Sequence, residues 1–241
     1  MVSVCIAAYN GEKYIKEQLS SILIQLREED EIVISDDGST DNTLRIIEEL
    51  KDKRIFVVKN ILKKGVNHNF QNALNNAKGD FIFLADQDDI WLPNKVELCV
   101  NELKKYDLVV SNCSVLDNQN EIVQNSYFKV VNSGKGFLKN FYKSSYLGCC
   151  LAFRKEILKE VLPMPDNLLL FHDWWFGFIS ELCYKVKFIE TPCMYYRRHS
   201  ETNSNTLSKS HLSLHQKIEY RFQLFYYGMI RVIKIKTKTK K

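Results

Sequence analysis

Four short apolar runs in the first 85 residues alternate with segments whose apolar residues recur every three or four positions. The runs have the length and continuity of buried strands, and the segments have the spacing of amphipathic helices. Strands are predicted at 2–8, 31–35, 54–58 and 81–85, and helices at 14–26, 40–50 and 68–77. Because this alternation supplies a crossover helix between parallel strands, we expect an α/β fold with a mostly parallel, Rossmann-like central sheet flanked by helices.

After residue 89 the pattern becomes less regular. The periodicities predict helices at 93–105, 155–161 and 172–183, strands at 108–113, 147–153 and 184–189, and a hairpin and loop within 117–139. A Ser, Thr and Asn-rich stretch at 199–210 is expected to be a loop, and helical spacing resumes at 212–233. The expected organisation is one domain at 1–210, with halves at 1–110 and 111–210, followed by an amphipathic helix and basic tail at 211–241.

The positive charge is concentrated at the C-terminus. The formal net charge is +5, and five lysines lie in the last eight of the 241 residues, so the rest of the chain is close to neutral. This distribution does not indicate a nucleic-acid partner. Hydrophobic residues make up 45% of the chain, which is enough for a globular core.

Seven cysteines occur without a C-x-x-C pair, which favours reduced thiols in a cytosolic protein over a disulfide framework or a zinc site. The N-terminus has no basic leader, and no apolar stretch reaches the roughly 18 residues of a membrane span. We therefore expect a cytoplasmic location, with membrane contact that is at most peripheral.

Ligands of open parallel sheets bind outside the carboxyl ends of the strands, where this sequence has two acidic clusters. The first, Asp36-Asp37-Gly38-Ser39-Thr40-Asp41, follows the second predicted strand. A turn and a helix cap explain Ser39 and Asp41 as well as a functional role does. They leave Asp36 and Asp37 unexplained, because adjacent carboxylates repel unless they bind donors or a cation.

The second cluster, Asp86-Gln87-Asp88-Asp89, follows the fourth predicted strand. In an extended chain Asp86 and Asp88 point to one side, where both can approach a hard cation such as Mg²⁺ or Mn²⁺. The alternative is a loop before a helix that begins with proline. The chain has neither a G-x-x-x-x-G-K-[ST] loop nor G-x-G-x-x-G, so a P-loop nucleoside triphosphatase and a dinucleotide dehydrogenase are disfavoured.

The ordered set AAYNG, EIVISDDGSTDNT and KGDFIFLADQDDIWLPNK resembles the family 2 glycosyltransferases of GT-A fold. The resemblance is close over the first half and continues more loosely through SYLGCCLAFRKEIL, FHDWWF and YYRRHSETN to about residue 205. The DQDDIWLPNK segment is most similar to bacterial rhamnosyltransferase-like members that act on surface polysaccharides.

The resemblance implies a role for each matching residue on the donor side. The tip of the first strand and the second acid of the DDGS motif would lie at the nucleotide base, and the D-x-D-D segment at the ribose and the metal. A histidine would complete the metal site from a loop. The donor residues are then Ala7, Ala8, Tyr9, Asp37, Lys64, Gly65, Asp86 and Gln87, and the metal ligands are Asp88, Asp89 and His199, with Mg²⁺ or Mn²⁺ as the cofactor.

On the acceptor side the resemblance implies that Asp173 is the general base of an inverting transfer. Trp174, Trp175 and Gly148 would contact the acceptor. From local sequence, Asp173 is also consistent with a helix N-cap, and the two tryptophans with ordinary core residues. Arg197 or Arg198 is a further candidate for contact with the diphosphate.

The implied activity is the inverting transfer of one sugar from a nucleoside-diphosphate sugar, such as dTDP-rhamnose or a UDP-hexose, to a glycan or lipid-linked acceptor in bacterial surface polysaccharide synthesis. No Q-x-x-R-W motif is present, which argues against a processive synthase. The alternatives are a sugar-1-phosphate nucleotidyltransferase, a glycoside hydrolase and a catalytically silent carbohydrate-binding module.

The last predicted helix has two interpretations. Phe222, Phe225, Met229 and Val232, flanked by Arg221, Arg231, Lys234 and Lys236, could lie on an anionic inner leaflet. Alternatively, this face packs on the domain and the lysines are solvated.

Overall fold

The structure, a computed structural model, describes residues 1–198 and 213–238. The predicted metal ligand His199 and the predicted loop 199–210 lie outside these residues. The strands are β1 (Val2–Ala8), β2 (Glu31–Asp36), β3 (Ile55–Lys59), β4 (Phe81–Ala85), β5 (Ile90–Trp91), β6 (Leu108–Leu116), β7 (Ile122–Gln124), β8 (Leu151–Arg154) and β9 (Val186–Arg197). The helices are α1 (Ile15–Leu23), α2 (Thr43–Glu49), α3 (Val66–Asn76), α4 (Lys95–Leu103), α5 (Tyr127–Val131), α6 (Phe137–Tyr142), α7 (Leu158–Val161), α8 (His172–Cys183) and α9 (Leu214–Lys238).

One sheet runs through the described part of the chain in the order β3-β2-β1-β4-β8-β6-β9-β5, with β7 paired to β6. The strands β3, β2, β1 and β4 are parallel, which confirms the α/β fold predicted from their alternation with helices. The second half adds antiparallel pairs, because β8 runs against both β4 and β6. The sheet is therefore mixed, and the carboxyl ends of β1, β2 and β4 meet at one edge.

The apolar runs of β1, β2 and β4 form the core, as their pattern predicts, whereas β3 at the edge of the sheet is partly exposed. Ile6 on β1 and Phe83 on β4 are fully buried, because helices cover both faces of the sheet. In the second half, Phe153 on β8 packs against Phe176 on α8 with 5.1 Å between ring centroids. The helix α8 is thereby fixed against the centre of the sheet.

Several elements differ from their predicted limits, and local interactions explain the differences. The second helix begins at Thr43 rather than at residue 40, because the preceding residues form a hydrogen-bonded turn. The strand expected at 147–153 starts as a 3₁₀ turn at Gly148–Cys150, and only then continues as β8. The strand expected at 184–189 extends to Arg197 as β9 because it pairs with β6 and then β5.

The long helix α9 packs on the domain along one face. Leu224 and Val232 are buried on that face, and the Arg231 guanidinium donates to the carbonyl oxygens of Leu162 at 2.8 Å and Pro163 at 2.7 Å. The interpretation in which Val232 and Arg231 face a membrane is therefore wrong. Within the described ranges, no helix is both long and apolar enough to cross a bilayer.

We predict that Leu224→Ala lowers the free energy of unfolding by about 2–5 kcal/mol, because it leaves a cavity beneath α9. The matched variant Phe222→Ala removes a side chain that is 69% exposed and changes the free energy by less than about 0.5 kcal/mol. Urea denaturation followed by circular dichroism measures both values. Equal losses for the two variants would contradict the described orientation of α9.

Candidate functional site

Three loops meet at the carboxyl edge of the parallel strands, and side-chain amides hold them together. The Gln87 side chain forms two hydrogen bonds with the backbone of Tyr9, accepting from its N–H at 2.9 Å and donating to its carbonyl at 3.0 Å. Gly11 leaves room for this contact, since a Cβ there would lie 2.5 Å from Gln87 Oε1. The predicted donor residue Gln87 thus also fixes the loop after β1 to the turn after β4.

The loop after β1 is also joined to the turn after β2. Asn10 Oδ1 accepts from the Thr40 N–H at 2.8 Å, and the Asn10 N–H donates to Ser39 Oγ at 3.0 Å. The Gly11 N–H donates to Thr43 Oγ1 at 2.7 Å. These contacts fix the turn around Ser39 and Thr40. Neither Ser39 nor Asp41 is the N-cap of α2, because Asn42 occupies that position, although Asp41 Oδ1 accepts from the Thr43 N–H at 2.9 Å.

The two acids of that cluster have different partners. Asp36 is buried and accepts from the backbone N–H groups of Gly38 and Ser39, both at 3.0 Å, so it stabilises its own turn. Asp37 accepts from Asn60 Nδ2 at 2.7 Å and from the Gly65 N–H at 2.8 Å. Asp37 therefore connects the turn to the loop that precedes α3.

The predicted donor residues lie together at this edge. Lys64 and Gly65 are exposed in the loop that Asp37 holds, and the Ala8 carbonyl accepts from the Asp37 N–H at 3.0 Å. Tyr9 is exposed next to them, whereas Ala7 is partly buried. The structure thus brings the predicted donor residues into one neighbourhood, and their contact with a nucleotide stays a prediction.

After β4 the chain turns at Gln87 and Asp88 instead of continuing extended. Asp88 is nevertheless close enough to Asp86 for its carboxylate to raise the pKa of Asp86. The potential ligand atoms of Asp86, Asp89 and Cys149 all lie within 4.8 Å of one another. Asp89 is 1% exposed, and its Oδ1 accepts from the Arg197 N–H at 3.0 Å. Its Oδ2 is buried and has no hydrogen-bond partner among residues 1–198 and 213–238.

The electrostatics of this acid cluster favour a bound cation. Burial and, after it, the carboxylates of Asp88 and Asp173 raise the pKa of Asp86 to about 7. Burial and the same neighbouring acid, Asp88, raise the pKa of Asp89 well above its usual range. The unpartnered Asp89 Oδ2 and this set of carboxylate oxygens fit Mg²⁺ or Mn²⁺. Burial also raises the pKa of the Cys149 thiol well above its usual range, so Cys149 is a neutral neighbour here.

The candidate base Asp173 lies in the first turn of α8. It is not the N-cap, because Phe171 occupies that position, but its Oδ1 accepts from the Trp174 N–H at 2.7 Å. Burial raises the pKa of Asp173 to about 7, and hydrogen bonds from the backbone amides of Trp174, Asp173 and Gly148 oppose this shift. A carboxyl group with this pKa is suited to accept a proton near neutral pH.

The 3₁₀ turn at Gly148–Cys150 touches both halves of the site. Its Gly148 amide interacts with the Asp173 carboxylate, while Cys149 borders Asp86 and Asp89. A Cβ on Gly148 would lie 2.5 Å from His172 Nε2, so glycine is needed for this close approach. The predicted acceptor residue Gly148 is itself buried, and its position couples the acid cluster to the candidate base.

The two tryptophans of α8 have different environments. Trp175 is fully buried, and its Nε1–H donates to the Val161 carbonyl at 2.8 Å. Because its ring faces are covered by the core, the structure argues against the predicted acceptor role of Trp175. Trp174 is partly buried beside Phe137 and Tyr146 at a small cleft.

Sequence reasoning missed three buried residues near this site. His172 stacks on Phe70 with 4.3 Å between ring centroids, and burial lowers its pKa to about 3, so its ring is neutral. Lys95 is fully buried, and its Nζ donates to the Cys149 carbonyl at 2.9 Å. In the sequence Cys149 lies in an apolar run and is therefore indistinguishable from a core residue. Its position directly after Gly148, a predicted acceptor residue, was the one feature that could have indicated a place near the site.

Arg197, at the end of β9, is also close to the acid cluster. Its backbone contacts Asp89, its guanidinium donates to Glu17 Oε2 at 2.8 Å, and it lies 4.6 Å from the Tyr14 ring centroid. The side chain is 4% exposed. Arg197 therefore ties α1 to the strand that precedes the undescribed segment.

The mixed central sheet flanked by helices matches the GT-A fold. A profile of glycosyl transferase family 2 matches residues 3–162. The chain belongs to this family.

Two bacterial relatives illustrate the similarity in sequence. The UDP-Glc:alpha-D-GlcNAc-diphosphoundecaprenol beta-1,3-glucosyltransferase WfgD of Escherichia coli is 33% identical over 68% of this chain and 64% of its own length. The dTDP-rhamnosyl transferase RfbG of Shigella flexneri is 30% identical over 80% of this chain and 71% of its own length. The chain thus spans about two thirds of the length of these relatives.

Two solved structures illustrate the similarity in fold. TarS residues 1–349 of S. aureus in complex with UDP-GlcNAc has a TM-score of 0.70 at 23% identity, over 95% of this chain and 66% of that one. The mannosyltransferase PcManGT of Pyrobaculum calidifontis in complex with GDP-Man and Mn²⁺ has a TM-score of 0.59 at 20% identity, over 84% of this chain and 58% of that one.

We predict that, without added metal, the free energy of unfolding decreases as the pH rises from about 4 to just above 7. In the unfolded chain an aspartate titrates near 3.9, whereas folding raises the pKa of Asp86 to about 7, so the folded state binds more protons in this window. Asp86→Asn should flatten the pH dependence and stabilise the protein above pH 7.

Thermal unfolding in chelator between pH 5 and 8 measures this effect. The matched control Asp80→Asn replaces an exposed aspartate at the start of β4 and should keep the wild-type slope. If the unfolding temperature of Asp86→Asn depends on pH as steeply as that of the wild type, the described environment of the acid cluster is contradicted.

Proposed function

We propose that this chain is an inverting, metal-dependent hexosyltransferase that moves a sugar from a nucleoside-diphosphate sugar to a glycan or lipid-linked acceptor in bacterial surface polysaccharide synthesis. The observation that carries the proposal is the contact of one turn, Gly148–Cys150, with both the acid cluster and Asp173. Transfer needs a diphosphate site and a base close together, and this turn provides that proximity. Membership of glycosyl transferase family 2 and the activities of the relatives WfgD and RfbG support the proposal.

In this proposal the half at 1–110 binds the donor. Tyr9 offers an exposed ring to the nucleotide base beside Ala7 and Ala8, and Asp37 bonds the base. Asn60 and the Gly65 amide, both in the loop before α3, hold the Asp37 carboxylate in place through hydrogen bonds. Lys64, whose Nζ lies 3.7 Å from a Cβ built on Gly38, supplies positive charge for the diphosphate.

Asp88 and Asp89 would hold the cation, Mg²⁺ or Mn²⁺, with Asp86 and Gln87 on the ribose side. A cation held there would stabilise the negative charge that develops on the departing diphosphate. The unpartnered Asp89 Oδ2 and the raised pKa values of Asp86 and Asp89 support this assignment. Arg197 keeps Asp89 oriented through its backbone N–H. The predicted third ligand, His199, belongs to the same proposal.

Asp173 accepts the proton of the acceptor hydroxyl as that oxygen attacks the anomeric carbon. Attack comes from the side opposite the diphosphate, so the configuration of that carbon is inverted. The amides of Trp174 and Gly148 orient the carboxylate, and the half at 111–210 supplies the acceptor surface, with Trp174 at its edge.

We predict that nucleoside diphosphate binds only in the presence of the cation, and that Asp88→Asn weakens this binding by at least about tenfold, because one carboxylate ligand is lost. Calorimetry with UDP, dTDP and GDP, with Mn²⁺ or Mg²⁺ and then with chelator, measures it. Asp117→Asn, in the β6–β7 hairpin, is the control and should bind as wild type does. Metal-independent binding, or no binding of any diphosphate, would overturn the metal assignment.

We predict that Asp173→Asn keeps diphosphate binding and lowers transfer about 10²–10⁴-fold, as expected for loss of a general base. With wild type, kcat/KM should rise as pH increases through about 7, because only the carboxylate form accepts the proton and burial raises this pKa. Single-turnover transfer to a bacterial lipid-linked acceptor measures both. Normal turnover in Asp173→Asn would show that another group is the base.

A further inference from the structure

The side of α9 that faces away from the domain is apolar. Ile218, Phe222, Tyr226, Ile230 and Ile233 recur at steps of three and four along this face, and all are exposed. The Phe222 and Tyr226 rings stack on each other at 6.3 Å between centroids. From residue 218 to 233 this stripe is about 22 Å long, at 1.5 Å per residue. A continuous exposed stripe of this kind marks an interaction surface rather than ordinary scatter of apolar residues.

The short helix α6 extends the stripe sideways. Leu138 and Tyr142 on α6 are among the most exposed apolar residues in the described part of the chain. Phe141 packs on Phe225 with 6.0 Å between ring centroids, and the Arg221 guanidinium lies 5.2 Å from the Tyr142 ring. We name the stripe on α9 together with Leu138 and Tyr142 the apolar platform.

Charge is segregated in the same direction. Residues 214–241 contain eight Lys and Arg against one acid, Glu219, whereas residues 1–213 contain 26 Lys and Arg against 28 Asp and Glu. The positive excess of the chain therefore belongs to α9 and the residues after it. Lys234 and Lys236 are exposed beside the apolar platform. Two copies that met through this surface would bring like charges together, whereas an anionic lipid surface complements both its apolar and its basic character.

We propose that the apolar platform docks on an anionic lipid bilayer, with its aromatic and aliphatic side chains at the headgroup boundary and the lysines among the lipid headgroups. This surface differs from the one expected from sequence, because Val232 and Arg231 face the domain and Arg221 is engaged by α6. Of the apolar residues expected from sequence, Phe222 still reaches the lipid, and Ile218, Tyr226 and Ile233 join it.

Hydrogen bonds connect α9 to the segment that precedes the candidate base Asp173. Gln223 on α9 accepts from the Leu169 N–H at 3.3 Å, and Asn67 binds both the Leu170 carbonyl and the His172 N–H at 2.8 Å. Docking would therefore hold the start of α8, and Asp173 with it, at a fixed position relative to the bilayer. This consequence rests on the proposed function, since it matters for an acceptor that is itself anchored in lipid.

Flotation of the full chain with phospholipid vesicles tests the docking directly. We expect binding to vesicles that contain phosphatidylglycerol, weak binding to pure phosphatidylcholine, and a decrease as salt is raised. The variant Ile218→Ser/Phe222→Ser should reduce partitioning to anionic vesicles at least tenfold. The control Ile24→Ser/Ile61→Ser removes two equally exposed apolar residues away from α9 and should bind as wild type does.

Three results would overturn the proposal. The first is wild-type binding by Ile218→Ser/Phe222→Ser, and the second is equal binding of the two vesicle types. The third is a dimer in sedimentation that this variant dissociates, without vesicle binding by either protein, which would assign the platform to a second copy. Unfolding midpoints confirm that the variants remain folded.

The proposed function is tested separately by calorimetry with nucleoside diphosphates, which this variant should bind as wild type does. Vesicle binding without diphosphate binding would leave the platform standing and contradict the transferase. Diphosphate binding without vesicle binding would support the transferase and contradict the docking of the platform on a bilayer.

Discussion

The acid cluster at the end of β4 is the constraint on which the rest of this site depends. The potential ligand atoms of Asp86 and Asp89 lie within 4.8 Å of each other, and desolvation together with neighbouring carboxylates raises the pKa of both groups. Keeping two such groups close together requires a backbone that is held in place. The Gln87 clamp on Tyr9 and the Arg197 N–H on Asp89 provide that rigidity from two sides.

The same contacts explain why functional and structural roles are difficult to separate here. Asp37 anchors the loop that contains Gly65, yet its position is also the one expected to meet a nucleotide base. Gly148 leaves room for His172, yet its amide also orients Asp173. Because each group has two partners, a substitution at either position changes loop placement and chemistry together. Asp88 and Asp173 therefore separate donor binding from proton transfer more cleanly than Asp37 or Gly148 would.

Sequence periodicity was most informative where the chain is locally regular. The runs of β1 and β4 and the helix α8 were predicted with their observed limits, because buried parallel strands and amphipathic helices leave direct signals. The turn after β4 was not predicted, since period two applies only to an extended chain. The turn brings Asp89 as well as Asp88 close to Asp86. Cys149 and Lys95 were missed because their roles arise from contacts between elements distant in sequence.

Periodicity predicts that α9 is an amphipathic helix but does not predict how the helix is oriented on the domain. Steps of three and four predicted an amphipathic helix, but the pattern contains two apolar faces, and periodicity alone does not say which one meets the domain. The structure resolves this through polar contacts: Arg231 binds carbonyl groups next to α7, which turns Leu224 and Val232 inward. Phe222 and Ile233 then have to face outward, because 100° per residue leaves them no other direction. The orientation of the α9 part of the apolar platform therefore follows from the packing of Leu224 and Val232 and from the carbonyl contacts of Arg231.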